Sequence, residues 1–167
     1  VAEAQYNLGS MYENGRGVAQ SDAKAREWYE KAAAQGDAAA QYNLGVMYSY
    51  GRGGEQSDAK ACEWYEKAAA QGYAGAQYNL GVMYYRGRGV AQDYTKAREW
   101  FEKAAAQGGA EAQYNLGVMY ESGDGVAKDL FKAREWFEKA AAQTENAENA
   151  EAVRRARQAL EKMRQGR

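Results

Sequence analysis

The sequence contains no histidine and no proline, and it has one cysteine, Cys62, among its 167 residues. Without histidine, the chain cannot by itself supply a Ser–His or Cys–His catalytic pair or a histidine-containing zinc site. One cysteine can form neither an internal disulfide nor an all-cysteine zinc site. We therefore predict no catalytic, cofactor-binding or metal-ligating residues.

Excess charge of one sign and long apolar runs are missing too. The 22 basic residues are balanced by 23 acidic residues, so the net charge of −1 gives no general attraction to nucleic acid or to anionic membranes. No apolar run approaches the roughly 18 residues of a transmembrane helix. We expect neither a nucleic-acid partner nor membrane insertion. A leader removed before Val1 is compatible with the sequence, which leaves the compartment open.

What the sequence does contain is one unit repeated four times. The four tryptophans are 36 residues apart, at Trp28, Trp64, Trp100 and Trp136. The repeat divides the chain into units 1–36, 37–72, 73–108 and 109–144, followed by a tail. A repeat of this length predicts a solenoid in which each unit buries its apolar face against its neighbours.

Each unit has the pattern of two helices separated by a loop with two glycines. In the first unit, apolar residues spaced as on one helical face predict a helix over about residues 2–14, which Gly15 and Gly17 end. A second helix is predicted to follow an N-cap residue, which is Ser21, Ser57, Asp93 or Asp129 in the four units. The tail predicts an amphipathic capping helix over about residues 146–165. The predicted fold is therefore all-α, a right-handed αα-superhelix of four repeats with a C-terminal cap.

The shared pattern A-x-A-Q-Y-N-L-G-x-M-Y-x-x-G-x-G, followed by K-A-x-E-W-x-E-K-A-A-A-Q, resembles Sel1-like repeats over residues 1–144. That family is related to the tetratricopeptide repeats, whose period is shorter. The resemblance implies a single repeat domain over residues 1–167. It also implies a non-enzymatic scaffold or adaptor that binds proteins. The sequence departs from the family pattern at three points. No proline follows the loop valine, Gly54 replaces that valine in the second unit, and Asp124 replaces the loop arginine in the fourth.

Most of the repeated aromatic residues are predicted to pack in the core rather than to bind a ligand. The buried face of the second helix is expected to contain Ala25, Trp28, Tyr29, Ala32 and Ala33. The mid-helix glycines, such as Gly9, are expected to allow close approach of an aromatic ring. Leu130 and Phe131 are expected to cover the interface with the capping helix. Cys62, which replaces an arginine, is interpreted as a neutral substitution.

One face of the first helices remains for a partner. We predict that these helices line a concave groove that binds a peptide or protein segment. Its asparagines have two interpretations, since they can bind the partner's backbone or hydrogen-bond the adjacent repeat. The candidate groove residues are Asn7, Asn43, Val46, Tyr50, Asn79, Val82, Tyr85, Arg86, Asn115 and Val118.

Two alternatives belong to other classes of function. Cysteine-rich relatives of Sel1-like proteins are linked to β-lactam binding or hydrolysis, and an S-x-x-K string occurs at Ser21–Lys24 and Ser57–Lys60. The equivalent residues Asp93 and Asp129 favour an N-cap over a nucleophile, and the companion motifs are missing. The other alternative is a structural array that associates weakly end to end through an uncapped N-terminal repeat.

Overall fold

The computed structural model describes residues 1–166, and in this part of the chain all regular secondary structure is helical. The helices are α1 (Ala2–Asn14), α2 (Asp22–Ala34), α3 (Ala38–Tyr50), α4 (Asp58–Ala70), α5 (Ala74–Arg86), α6 (Tyr94–Ala106), α7 (Ala110–Ser122), α8 (Leu130–Ala141) and α9 (Ala150–Arg164). This order of paired helices confirms the predicted all-α solenoid class. None of the helices described is long and apolar enough to cross a membrane.

The loop within each repeat depends on glycine and on a capping side chain. In the second repeat, Gly51 and Gly53 have φ angles of 65° and 74°, in the left-handed region where other residues are strained. The Ser57 hydroxyl then accepts a hydrogen bond of 3.2 Å from the backbone N–H of Lys60. The side chains of Ser21, Asp93 and Asp129 cap α2, α6 and α8 in the same way, which confirms the predicted helix starts.

The chain divides into two compact units, Val1–Gln92 and a second one from Asp93 onward. In the first unit, α2 packs against both α1 and α3, and α4 packs against both α3 and α5. In the second unit, α7 packs against α6, α8 and α9, and α9 also packs against α8. In the first unit, each second helix is thus held between two first helices. The single domain over residues 1–167 stays a prediction.

The buried core differs from the expected one in the place of the tryptophans. Tyr29 is fully buried, as are the alanines on either side of it along α2. Trp28 is only half-buried, and the Lys31 ammonium lies 4.3 Å from the centre of its ring. The prediction that Trp28 belongs to the buried face was therefore wrong. The indole lies at the border of the core, where its ring contacts the Lys31 ammonium.

The expected close approach of an aromatic ring to a mid-helix glycine is confirmed at Gly9, Gly45 and Gly117. A β-carbon on Gly45 would lie 2.6 Å from Cε1 of Tyr65, and one on Gly117 would lie 2.5 Å from Cδ1 of Phe137. The intrinsic cost of glycine in a helix, about 1 kcal/mol relative to alanine, is therefore offset by ring packing that alanine would prevent.

The capping helix begins later than predicted. Helix α9 starts at Ala150, because the Asn146 side chain accepts hydrogen bonds from the backbone N–H groups of Glu148 (2.8 Å) and Asn149 (3.0 Å). Such a local turn competes with the start of a helix. Once formed, α9 buries Val153 and Ala156.

The prediction that Leu130 and Phe131 cover the interface with the cap was wrong. Phe131 is 70% exposed and Leu130 is 52% exposed. Phe131 precedes the buried Phe137 by six residues, which places the two rings on different faces of α8. Both exposed side chains line an open cleft of about 490 Å³ together with Met163 of α9.

Candidate functional site

A cleft of about 240 Å³ lies in the first unit between α3 and α5, near the carboxyl ends of both helices. Its volume is below the roughly 300 Å³ at which pockets for drug-sized ligands begin, so it suits a single side chain of a partner. Four of the groove residues predicted from the sequence line it together: Tyr50, Asn79, Val82 and Arg86. The others in its wall are Ser49, Tyr65, Tyr78, Met83 and Arg88.

The cleft offers an aromatic ring and a cation above an apolar base. Tyr50 is 74% exposed, which is unusual for so large a ring, and Arg86 is exposed as well. Val82 is half-buried, whereas Met83 and Tyr65 are buried beneath it. Among the residues that the structure describes, no carboxylate forms an ion pair with Arg86, and none lines the cleft. Tyrosine and arginine exposed in this way are the residue types that contribute most to protein interfaces.

The asparagines of the first helices connect successive repeats. The Asn43 amide is a hydrogen-bonding neighbour of the Tyr29 hydroxyl, and Asn79 has the same relation to Tyr65. Burial raises the pKa of both tyrosines, and the amide partly opposes this rise because it stabilises the phenolate. These contacts favour the packing interpretation for Asn43 and Asn79. In the second unit Phe101 has no hydroxyl, so it cannot offer this oxygen to Asn115.

A carboxylate completes the contact between the first two repeats. The Tyr29 hydroxyl donates a hydrogen bond of 2.6 Å to Oε2 of Glu13. Arg52, from the loop of the second repeat, donates to Oε1 of Glu13 at 3.0 Å and to Oδ1 of Asp22 at 3.1 Å. Both carboxylates raise the pKa of Arg52. Glu13 thus joins a buried phenol to an arginine of the next repeat.

The contact between the second and third repeats has the same parts without that carboxylate. Tyr65 takes the place of Tyr29, and Arg88 takes the place of Arg52. Arg88 donates to Asp58 through Nη2 at 2.9 Å and through Nε at 3.4 Å, whereas Arg52 donates to Asp22 through Nη2. Ser49 stands where the first repeat has Glu13. The short serine side chain leaves open the space that the Glu13 side chain fills one repeat earlier.

The remaining predicted groove residues lie outside the cleft. Asn7 is exposed on α1, Val46 is half-buried on α3, and Tyr85 is half-buried on α5. Val118 packs against the buried cluster around Phe137 in the second unit and does not form an open apolar floor.

Apart from Ser49, the cleft residues that the sequence did not single out belong to positions that vary little. Tyr65, Tyr78 and Met83 sit in columns that are aromatic or invariant, so they were assigned to packing, and Arg88 was assigned to the loop. The available signal was the change from Glu13 to Ser49 at the same position of the repeat. That change points to a binding site only once the structure shows that Tyr65 and Arg88 line the same cleft. Among the described residues, no group of three or more histidine, cysteine or acidic side chains is arranged to hold a metal ion.

Comparison with known proteins agrees with the repeat boundaries. A family model described as "Sel1 repeat" matches residues 2–37, 38–73, 74–109 and 110–144. No curated protein matches the chain.

Two solved structures are similar in both sequence and fold. A Sel1 repeat protein from Oxalobacter formigenes is 37% identical, with a TM-score of 0.81 over 84% of this chain and 58% of that one. The protective antigen c5321 of uropathogenic Escherichia coli, which displays an SLR fold, is 37% identical, with a TM-score of 0.85 over 96% of this chain and 38% of that one. The chain therefore spans 58% and 38% of the lengths of these two proteins.

The cysteine-rich protein B of Helicobacter pylori is more distant. It is 24% identical, with a TM-score of 0.56 over 66% of this chain and 90% of that one. At this identity the similarity concerns the fold alone.

Proposed function

Because the chain belongs to the Sel1 repeat family, whose members generally bind protein partners on a scaffold that is typically non-catalytic, we propose that it binds a peptide or protein segment along its first helices. The cleft between α3 and α5 is the centre of the proposed site. One observation carries the proposal: Tyr50, Val82 and Arg86, which vary between repeats, line one cleft together.

Variation between repeats separates these residues from those that the fold requires. At the position of Tyr50, the other repeats have Asn14, Arg86 and Ser122, and at the position of Val82 the first repeat has Ser10. A residue that packing dictates would be repeated, as the buried leucines and mid-helix glycines are. The exposed ring of Tyr50 has no packing role that explains it, since 74% of its surface is open to solvent.

The cleft supports recognition of a protein segment and not of a large rigid ligand. An open aromatic ring contributes apolar area with few rotatable bonds, and a guanidinium contributes directed donors. Together with Val82, they provide the aromatic, apolar and charged contacts that are typical of the centre of a protein interface.

The test is a selection of displayed peptides on the wild-type protein, followed by binding measurements with two groove variants. Y50S and V82S each introduce the residue that another repeat has at that position, so both are compatible with the fold. We expect each variant to weaken the selected peptides at least tenfold, which corresponds to about 1.4 kcal/mol.

The matched control is E63S on the exposed side of α4, outside the cleft. It is expected to leave the affinity unchanged. Peptides that bind Y50S and V82S as tightly as the wild type, while circular dichroism shows all three proteins folded, would place the binding surface elsewhere.

A further inference from the structure

Two adjacent contacts between repeats contain the same donors, but only the first contains a carboxylate that accepts from both the tyrosine and the arginine. In the first, the Tyr29 hydroxyl and the Arg52 guanidinium both donate to the Glu13 carboxylate, at 2.6 Å and 3.0 Å. In the second, Tyr65 and Arg88 line an open cleft with Ser49 at the position of Glu13. The protein thus contains its own example of what these donors bind.

We propose that the cleft binds the side-chain carboxylate of a glutamate or aspartate from the partner, in the place that Glu13 occupies one repeat earlier. Tyr65 and Arg88 are the donors that correspond to Tyr29 and Arg52. This inference rests on the proposed function, since it specifies the chemistry of the group that the site receives.

The charges around the cleft support an acidic group. Its lining contains two guanidinium groups, those of Arg86 and Arg88, and no carboxylate. Arg88 donates to Asp58 through Nη2 and Nε, and Arg52 donates to Asp22 through Nη2 while its Nη1 binds a second carboxylate, that of Glu13. Nη1 of Arg88 is therefore the corresponding donor for the partner's carboxylate. Arg86 is an additional cation, since the corresponding residue of the second repeat is Tyr50.

The buried phenol of Tyr65 also favours a hydrogen-bond acceptor as the group that enters the cleft. Tyr65 is 2% exposed, and it lines the cleft together with its neighbour Asn79. The Asn79 amide acts on the Tyr65 oxygen as a donor, because it lowers the pKa of the phenol. Tyr29 has the corresponding amide neighbour, Asn43, and donates its hydroxyl proton to Glu13 at 2.6 Å. Charge-assisted hydrogen bonds of this kind are shorter and stronger than those between neutral groups.

A small probe tests the carboxylate without the natural partner. N-acetyl-glutamate methylamide has one side-chain carboxylate and no free terminus, and N-acetyl-glutamine methylamide is its neutral counterpart. N-acetyl-alanine, whose only carboxylate is the terminal one, tests the other source of this group. We expect the glutamate probe to shift the NMR signal of the Arg88 side-chain N–H saturably at millimolar concentration, and the glutamine probe to leave it unchanged. A shift with the N-acetyl-alanine probe alone would overturn the assignment to a side chain.

An exchange of residues between the two contacts makes the test specific. S49E gives the second contact its own carboxylate, and we expect it to abolish the response to the glutamate probe and to raise the melting temperature. S49Q, which fills the same space without charge, is expected to raise the melting temperature less. E13S removes the internal carboxylate from the first contact, and we expect the probe then to shift the Arg52 signal too.

Equal responses to the glutamate and glutamine probes, or an unchanged response in S49E, would overturn the inference. That failure is distinguishable from failure of the proposed function. If Y50S and V82S weaken selected peptides that contain no acidic residue, the groove binds protein segments by other chemistry. If the glutamate probe binds but no selected peptide depends on Tyr50 or Val82, the carboxylate site exists without the proposed groove.

Discussion

The Arg26 guanidinium occupies the space that a side chain at Gly54 would need. A β-carbon on Gly54 would collide with Nη1 of Arg26, and Nη2 donates a hydrogen bond of 2.9 Å to the carbonyl of Glu55. Gly54 does not have a positive φ, so its small size is what the position requires. In the next contact between repeats, Cys62 replaces the arginine and Val90 replaces the glycine. The large arginine is thus paired with the small glycine, and the small cysteine at the equivalent position is paired with the larger valine.

This relationship predicts the behaviour of G54V. We expect it to lower the free energy of unfolding by about 1 to 2 kcal/mol, because Arg26 must leave the Glu55 carbonyl. Denaturant unfolding would measure the loss. The double variant R26C/G54V copies the Cys62–Val90 pair, and it should recover most of the stability. A double variant less stable than G54V alone would contradict this account.

The fate of a displaced arginine is visible in the second unit. Arg98 is the counterpart of Arg26, and the following repeat has Val126 where Gly54 stands. Arg98 pairs with Glu102 on its own helix at 3.5 Å. We therefore expect Arg26 in G54V to turn toward Glu30, its own fourth neighbour, which limits the loss of stability to the range given.

The ring packed on Gly45 predicts that a better helix former destabilises the protein. G45A gains about 1 kcal/mol of helix propensity, but its methyl group would meet the buried Tyr65 ring. Overpacking of this kind costs about 1 to 3 kcal/mol, so we expect a net loss of stability. S49A on the same helix gains propensity without a collision and serves as the control. Thermal unfolding of the two variants should shift in opposite directions, and a rise in both would show that the ring moves freely.

The buried glutamine of each internal repeat predicts a further stability effect. Gln41 donates to the carbonyl of Ala33 at 3.2 Å and accepts from Nε2 of Gln71 at 2.9 Å, which links two helices and two repeats. Q41A removes both of these hydrogen bonds, although the Ala33 carbonyl keeps the one from the Gly36 N–H. At about 0.5 to 1.5 kcal/mol for each lost bond, we expect a loss of about 1 to 3 kcal/mol in denaturant unfolding. Q158A, on the exposed side of α9, should change stability by less than about 0.5 kcal/mol. Equal effects of the two variants would refute the role of this link.

Cys62 predicts a dependence of stability on pH. Burial raises the pKa of its thiol to about 11, and nearby carboxylates add to the rise. Since the folded state holds the proton more tightly than the unfolded state, this stabilisation is complete below the unfolded pKa and is lost as the pH rises toward 11. Between pH 8 and pH 11, the wild type should therefore lose on the order of 2 kcal/mol more than C62A. Parallel curves of unfolding free energy against pH for the two proteins would contradict the shifted pKa. The raised pKa of Tyr29 affects both proteins alike and cancels in the comparison, and that of Tyr65 cancels except for the minor contribution of Cys62 itself.

The fold was predictable because the same local sequence signals recur in each of the four repeats. The N-cap at Ser57, the left-handed glycines Gly51 and Gly53, and the glycine beneath Tyr65 are each local requirements that the pattern of residues displays. The start of α9 was not predictable from the same rules, since the turn depends on which of the two tail asparagines, Asn146 or Asn149, accepts from the backbone.

The candidate site was predictable only in part. Variation between repeats identified Tyr50 and Arg86 as residues that packing does not dictate, and both line the cleft. The place of Tyr65 in the cleft could not be predicted, because the sequence pattern assigns any aromatic residue on a buried helix face to the core. The role of Ser49 could not be predicted from the sequence either, because it depends on Tyr65 and Arg88, which come together from two different repeats.

The most direct test of the central claim is photo-cross-linking of a displayed peptide selected on the wild-type protein. A photoreactive phenylalanine is placed at position 50, within the cleft, or at position 63, on the exposed side of α4. The account predicts that the peptide cross-links from position 50 and that unlabelled peptide competes for the product. Efficient cross-linking from position 63, with none from position 50, would contradict the claim that the first helices bind the partner.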